Sequence, residues 1–212
     1  MSLLPLFPLP SVVLFPDVLL PLHIFEPRYR AMIADALADD RRIVMALLRA
    51  GWEADYDGRP PIHAIGCSGV IVHSAKLDDG RYNVVLRGLE RVRIGSEDHE
   101  RPYRRAPAEP EFDAPLDDAG RQAVTELRIR LTDAIGLSPA SPETEAIKTG
   151  ALQMMPDADF IHTLAHGLDL EPIEKQALLE CRDLRQRAES LSEMLEMKRL
   201  RDRLPPGAAL PH

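Results

Sequence analysis

Few residues of this sequence have the types and spacing that catalysis or metal binding would need. His162 and His166 are four residues apart, so they share one face of a predicted helix. Zinc would require at least one further ligand. The nearby candidates are Asp159, Asp169 and Cys181. Two histidines at a helix interface are the favoured interpretation, and we predict no metal and no cofactor.

The motifs of nucleotide-dependent and proteolytic enzymes are not found in the sequence. None of its lysines follows a glycine, so it has no phosphate-binding loop that ends in Gly-Lys-Ser or Gly-Lys-Thr. Ser74 and Lys76 would share a strand face, but Lys76 borders an acidic turn and would have to lose its water to act as a base. We predict that the chain is not an enzyme. An enzyme of unknown type, using the histidine pair, is one alternative.

Charge and cysteine content limit the partners and the compartment. The formal net charge of -8 at pH 7 disfavours nucleic acid and anionic membranes as partners. Cys67 and Cys181 lie in different predicted elements, which indicates reduced thiols. The first residues lack a basic start and a long apolar run, and no apolar stretch reaches the length of a membrane span. We therefore expect a cytoplasmic protein that makes no membrane contact.

The first half of the sequence predicts strands and one helix. Its most apolar stretch, residues 4–33, contains prolines that favour edge or bulged strands over a central strand. Pro27 suits the first position of a helix. Asp79-Gly80 between two apolar runs is a strong signal for a hairpin turn.

The second half predicts helices. Strand patterns stop within residues 107–118, so we place a domain boundary there, with a β-rich domain at 1–112 and a helical bundle at 113–212. Helices are predicted to begin near Arg121, Ser141, Pro156 and Pro172. The last of these carries one apolar seam as far as Leu195 and would be about 45 Å long. The predicted fold class is α+β.

Three phrases resemble the N-terminal, substrate-binding domain of the Lon proteases. They are FPLPSVVLFPDVLLPLHIFEPRYRAMI, IGCSGVIV and GRYNVVLRGLERVRI. The resemblance is to short bacterial proteins that consist of that domain alone, without the ATPase and protease modules. It implies a PUA-like, partly closed barrel followed by a helical bundle with one long terminal helix. Asp17 stands where the family favours glycine, which would make a turn of positive φ harder, and Cys67 stands where threonine is more usual.

The resemblance also implies a function. In Lon proteases this domain is associated with substrate recognition and subunit contacts, so we expect a non-catalytic polypeptide-binding or adaptor module. Its expected partners are unfolded or client polypeptides and a protease or chaperone system. The sequence leaves open whether the chain forms a homo-oligomer. Such a site needs exposed apolar surface or a free strand edge. The candidates are Phe15, His23, Phe25, Tyr29 and Trp52, with Glu26 and Arg28 as a polar rim. Core packing is the competing interpretation and is favoured for Phe15 and Phe25.

An RNA-binding module is the main alternative, because the region from Arg81 to Arg105 is rich in arginine. Its seven arginines are Arg81, Arg87, Arg91, Arg93, Arg101, Arg104 and Arg105. If they converged on one sheet face they could contact phosphates. Four acids lie among them, and only Tyr82 and Tyr103 could stack on bases. An ordinary charged sheet face is therefore favoured over an RNA site.

Overall fold

The structure, a computed structural model, describes residues 3–55, 58–136 and 152–203. Within these ranges the chain forms six strands followed mainly by helices, which confirms the predicted α+β fold class. The elements are β1 (Leu3–Leu9), β2 (Leu19–Ile24), α1 (Pro27–Ala38), β3 (Arg42–Leu47), β4 (Ile65–Lys76), β5 (Tyr82–Ile94), β6 (Arg104–Pro110), α2 (Asp118–Gly136), α3 (Asp157–Gly167), α4 (Pro172–Glu180) and α5 (Leu184–Arg203). The helix predicted to begin near Ser141 lies outside the described residues.

All six strands belong to one mixed sheet of order β2-β5-β4-β3-β1-β6. β1 and β3 are parallel, and the other pairs are antiparallel. The end of β5 also pairs with β6, at Val92–Pro110 and Ile94–Ala108. This second pairing makes the sheet partly ring-like without forming a barrel. β2 lies at the end of the order and pairs with β5 alone among the described strands.

A tight turn sets the start of β2. The Val18 amide donates to the Phe15 carbonyl over 3.3 Å, with Pro16 and Asp17 between them. Asp17 has a φ of 61°, the left-handed conformation that glycine adopts most readily. A proline followed by a residue of positive φ is typical of a type II turn. Asp17 therefore adopts the backbone conformation that suits the glycine expected at this position from the family.

Contacts between residues divide the chain into two compact units. One contains the sheet, α1, the part of α3 from His162 onward, and α4; the other contains α2, the first part of α3, and α5. In the first unit, the Gln176 side chain donates to the Ile65 carbonyl over 2.9 Å and so fixes α4 to β4. The division into domains at 1–112 and 113–212 stays a prediction.

The expectation of one continuous helix from Pro172 is wrong. The chain forms α4 as far as Glu180 and a new helix, α5, from Leu184. Asp183 explains the break, because its Oδ1 accepts the Gln186 amide over 2.8 Å as the N-cap of a new helix does. The long terminal helix is α5, whose 20 residues span about 30 Å. No helix within the described ranges combines the length and hydropathy that crossing a membrane requires.

Candidate polypeptide-binding site

The outer surface of β2, β5 and β4 carries several exposed apolar side chains. Leu19 is 57% exposed, Phe25 is 60% exposed and Val72 is 47% exposed. Directly opposed residues of neighbouring strands point to the same face of a sheet, so the pairs Leu19–Arg87 and Pro21–Val85 identify this face. We call it the β2 face. Its register-defined members are Leu19, Pro21, His23, Val85 and Arg87. We include two exposed neighbours, Phe25, which directly follows β2, and Val72, which precedes His73 at a bulge of β4.

The sequence of β2 encodes this face through its alternation. Leu20 and Ile24 are buried, whereas Leu19, Pro21 and His23 are exposed. Successive side chains of a strand point to opposite faces, so one set enters the core and the other meets water. The outward set is nevertheless largely apolar. A strand face of this kind is unusual on an ordinary solvated surface and is typical of a binding surface.

His23 is held in one orientation on the β2 face. Its ring stacks on that of Phe25, with centroids 6.3 Å apart. Its Nδ1 lies 2.7 Å from Asn83 Oδ1, and its Nε2 lies 3.2 Å from Arg81 Nη1. Arginine can only donate hydrogen bonds, so Nε2 accepts in its contact with Arg81. These contacts hold the His23 ring beside the exposed Phe25 ring.

The free backbone edge of β2 is poorly suited to accept another strand. The Val18 carbonyl accepts from the Gly88 amide over 2.9 Å, and alternate residues of a strand direct their backbone groups to the same side. The backbone groups of Leu19, Pro21 and His23 therefore point away from β5. Proline has no amide hydrogen, so the donor series of this edge is broken at its centre. The β2 face offers side chains rather than a strand-pairing template.

Four of the predicted site residues lie together at the end of β2. His23 and Phe25 belong to the β2 face, and Phe25 is exposed, so the interpretation that it packs in the core is wrong. Phe25 lies outside the core because it directly follows Ile24, whose inward side chain ends the buried row of β2. Glu26 and Arg28 form an ion pair of 3.0 Å just beyond Phe25.

The other three predicted site residues lie elsewhere. Phe15 is fully buried and stacks on His162 with centroids 6.0 Å apart, as the core interpretation predicted. Tyr29 is buried against Phe7 at 4.5 Å. Trp52 is half-buried in a short 3-10 turn after β3. Neither Phe15 nor Tyr29 presents a surface to a partner. The binding roles of all seven candidates stay predictions.

Sequence reasoning missed part of the β2 face. The missed residues are Leu19, Pro21, Val72, Val85 and Arg87. The alternation of β2 could have identified Leu19, because an inward Leu20 requires an outward Leu19. Val72 could not be found this way, since it lies at a bulge between Ile71 and His73, where strand alternation fails.

The arginine-rich region is largely neutralised within the protein. Six of its seven arginines bond to carboxylates or to a carbonyl. The pairs are Arg81–Asp79, Arg91–Leu179 carbonyl, Arg93–Glu111, Arg101–Asp35, Arg104–Glu97 and Arg105–Asp98. Arg91 and Arg104 are also buried. Charges that are paired or buried release few counterions on binding phosphate, so this region is a poor RNA surface.

The histidine pair and the cysteines show no sign of reactive chemistry. His162 is buried, and His166 Nδ1 lies 3.3 Å from the Val13 carbonyl oxygen. Across the described ranges, no three His, Cys, Asp or Glu side chains form a group that could hold a metal ion. Cys67 and Cys181 are both buried, and burial raises the pKa of the Cys67 thiol. A buried thiol of raised pKa is a poor nucleophile.

Solved structures of known proteins share this fold. The N-terminal domain of the Mycobacterium avium complex Lon protease matches with a TM-score of 0.72 at 18% identity, over 92% of this chain and 98% of that chain. The Lon N-terminal domain protein from Xanthomonas campestris matches with a TM-score of 0.56 at 22% identity, over 97% of this chain and 100% of that chain. The fold is therefore that of Lon N-terminal domains.

The sequence identifies the family. The model of the ATP-dependent protease La (LON) substrate-binding domain matches residues 3–197, and the chain belongs to this family. Lon protease of Chloroherpeton thalassium is 29% identical over 91% of this chain and 23% of its own length. Lon protease 2 of Myxococcus xanthus is 31% identical over 93% of this chain and 24% of its own length. The chain thus spans about a quarter of these curated relatives, and the predicted resemblance to the Lon N-terminal domain is confirmed.

Proposed function

We propose that the protein is a polypeptide-binding module that holds extended segments through apolar side chains on the β2 face. The observation that carries this proposal is the exposure of three large apolar side chains: Leu19 in β2, Phe25 directly after β2 and Val72 at the bulge of β4. Unfolded segments expose apolar side chains that folded proteins bury, so such a surface distinguishes the two. Membership in a family of substrate-binding domains supports the proposal.

The size of the β2 face limits the affinity for one segment. Burial of Leu19 and Phe25 would contribute about 1.5–3 kcal/mol for each side chain. Together these values correspond to dissociation constants of roughly millimolar to tens of micromolar, before the cost of ordering the bound segment. Such weak binding suits a module that must accept many sequences and release them.

An adaptor role extends this proposal. The curated relatives are Lon proteases, and the chain corresponds to about a quarter of their length. A module that holds an extended segment could present it to a protease without cleaving it. The absence of catalytic activity and the cytoplasmic location are part of this proposal.

The test compares two phenylalanine substitutions at exposed positions. Phe25 is 60% exposed on the β2 face and Phe112 is 79% exposed beyond β6, so Phe112→Ser is a matched control. Binding of a fluorescently labelled, permanently unfolded polypeptide is measured by anisotropy for Phe25→Ser, Phe112→Ser and the unaltered protein. We expect Phe25→Ser to weaken binding by about ten- to a hundredfold, because one buried aromatic contact worth about 1.5–3 kcal/mol is lost.

The control should bind as the unaltered protein does. Equal affinity for Phe25→Ser and Phe112→Ser would contradict the proposal, because the β2 face would then make no contact. A labelled single-stranded RNA, measured beside the polypeptide at two salt concentrations, tests the RNA alternative. Apolar binding should persist at high salt, whereas phosphate binding by arginines should weaken steeply.

A further inference from the structure

Arg87 places a permanent positive charge within the β2 face. In the pairing of the strands it stands opposite Leu19 of β2 on one side and Val70 of β4 on the other. Directly opposed side chains lie about 5 Å apart at their Cβ atoms. Val85, two residues earlier in β5, points to the same side of the sheet. The Arg87 side chain is therefore exposed among apolar neighbours.

No ion pair within the described ranges neutralises the Arg87 guanidinium, and its side chain makes no hydrogen bond there. Asp17, in the turn before β2, likewise forms no ion pair among the described residues. Arg87 is the seventh arginine of the arginine-rich region, and the other six bond to carboxylates or to a carbonyl. Its charge is thus available to a partner.

The same row of the sheet contains a second arginine, which the protein does pair. Arg42 of β3 stands opposite Val70, on the side away from Arg87. Its Nη2 lies 2.9 Å from Glu90 Oε1 and 3.4 Å from Ser68 Oγ. Glu90 is three residues from Arg87 in β5, but its carboxylate is engaged by Arg42. The N–H donors of Arg87 are therefore left for a group from outside the protein.

We propose that Arg87 binds an acidic side chain of the polypeptide held on the β2 face. The inference rests on the proposed function and adds a sequence preference to it: an aspartate or glutamate with apolar residues nearby in the segment. The guanidinium presents two parallel N–H donors that match the two oxygens of a carboxylate. A bound segment excludes water from this ion pair and so strengthens it. A single cation among apolar side chains suits one carboxylate rather than a run of phosphates.

The geometry of the face sets the spacing of the preferred segment. Side chains at alternate positions of an extended segment point to the same side, roughly 7 Å apart. With the carboxylate on Arg87, an apolar residue two positions away can therefore reach Leu19 or Val85. Phe25 is six residues from Leu19, which corresponds to roughly 20 Å along the strand direction. An aromatic residue about six positions from the carboxylate can therefore reach Phe25.

The experiment measures binding of a designed peptide and its neutral counterpart through chemical shifts of the intact protein. The peptide is N-acetyl-Leu-Ser-Glu-Ser-Ala-Ser-Ala-Ser-Phe-amide, in which the apolar residues and the glutamate share one side of an extended chain. Its counterpart has glutamine in place of glutamate. The protein has a formal net charge of -8 at pH 7, so its overall field repels the charged peptide. Tighter binding of the charged peptide therefore reports a local cation.

We expect the glutamate peptide to bind about threefold to fivefold more tightly than the glutamine peptide, the upper range for an exposed ion pair. Arg87→Gln should abolish this difference. Arg87→Lys should keep part of it, because lysine retains the charge without the paired donors. Arg49→Gln is the matched control, since Arg49 is exposed in the segment after β3, outside the β2 face, and its substitution removes the same charge. This control should retain the full difference.

The amides of Phe25 and Val72 separate this inference from the proposed function. If both peptides shift these amides and bind equally tightly, the β2 face remains a binding surface and the role of Arg87 is wrong. If neither peptide shifts them at millimolar concentration, both proposals are wrong.

Two further outcomes would overturn the assignment to Arg87 alone. One is a preference for the glutamate peptide that persists in Arg87→Gln, because another cation would then bind the carboxylate. The other is a uridine hexanucleotide that shifts the Arg87 Nε resonance more than the glutamate peptide does, because the guanidinium would then serve phosphate.

Discussion

The Asp17 amide donates a hydrogen bond to the Gly88 carbonyl over 3.0 Å, and the Gly88 amide donates one to the Val18 carbonyl over 2.9 Å. These two bonds join the turn before β2 to the middle of β5. A Cβ at Gly88 would lie 2.0 Å from the Phe15 carbonyl oxygen, so only glycine permits this approach. The turn thereby sets the register of β2, and the register decides which side chains form the β2 face.

The conformation of Asp17 leads to a prediction about stability. At a φ of 61°, valine would be strained by about 1–2 kcal/mol, whereas glycine would not. We expect Asp17→Val to lower the free energy of unfolding by that amount. Asp17→Gly should stay within about 0.5 kcal/mol of the unaltered protein, because relief of strain is offset by the greater freedom of glycine in the unfolded chain. Urea unfolding of both variants measures the difference, and equal stabilities would contradict the turn geometry.

Arg91 and Arg93 provide a second prediction, because neighbouring arginines of one strand have different roles. Arg91 is 6% exposed, and its Nη1 donates to the Leu179 carbonyl at the end of α4 over 2.8 Å. Arg93 is exposed and pairs with Glu111 over 3.1 Å. We expect Arg91→Gln to destabilise the protein by about 2 kcal/mol, since it removes a charged donor from a buried carbonyl. Arg93→Gln should cost less than about 1 kcal/mol.

Urea unfolding of the two arginine variants also bears on the RNA alternative. If this strand bound phosphate, Arg91 and Arg93 would both contact the ligand rather than the protein. Substitution of either would then leave the free energy of unfolding unchanged. If Arg91→Gln were as stable as Arg93→Gln, the structural role of Arg91 would be wrong and the RNA alternative would gain support.

Local signals in the sequence were sufficient for the elements near the β2 face. Pro27 predicted the start of a helix, and α1 begins at that residue. Asp79-Gly80 predicted the hairpin between β4 and β5, and Gly80 has the positive φ that such a turn needs. These predictions succeed because the conformations are decided by a residue and its neighbours in the chain.

Burial could not be predicted in the same way. A proline follows Phe15 directly and follows Phe25 after one residue, so the two have similar local sequences. Phe15 is nevertheless fully buried, whereas Phe25 is 60% exposed. The difference comes from distant parts of the chain, since His162 of α3 covers Phe15. In the other unit, Arg187 is fully buried and pairs with Asp113. The sequence gives no sign of this, because charged residues in a helical pattern are mostly exposed.

The Tyr103 hydroxyl provides a last prediction, on the dependence of stability on pH. It donates to Asp35 Oδ2 over 2.7 Å. Burial, together with this bond to a carboxylate, raises the pKa of Tyr103 from 10.0 to about 12. The unfolded chain therefore loses this proton at lower pH than the folded protein does. The stabilising contribution is complete below pH 10 and is lost as the pH rises from 10 toward 12.

The measurement compares the unaltered protein with Tyr103→Phe by urea unfolding across this pH window. The unaltered protein should lose roughly 2 to 3 kcal/mol more than Tyr103→Phe does, because phenylalanine has no proton to release. Absorbance of tyrosinate should show that Asp35→Asn lowers the pKa of Tyr103, since the charged acceptor is removed. Parallel stability curves for the unaltered protein and Tyr103→Phe would mean that this hydroxyl is as free to ionise in the folded protein as in the unfolded chain.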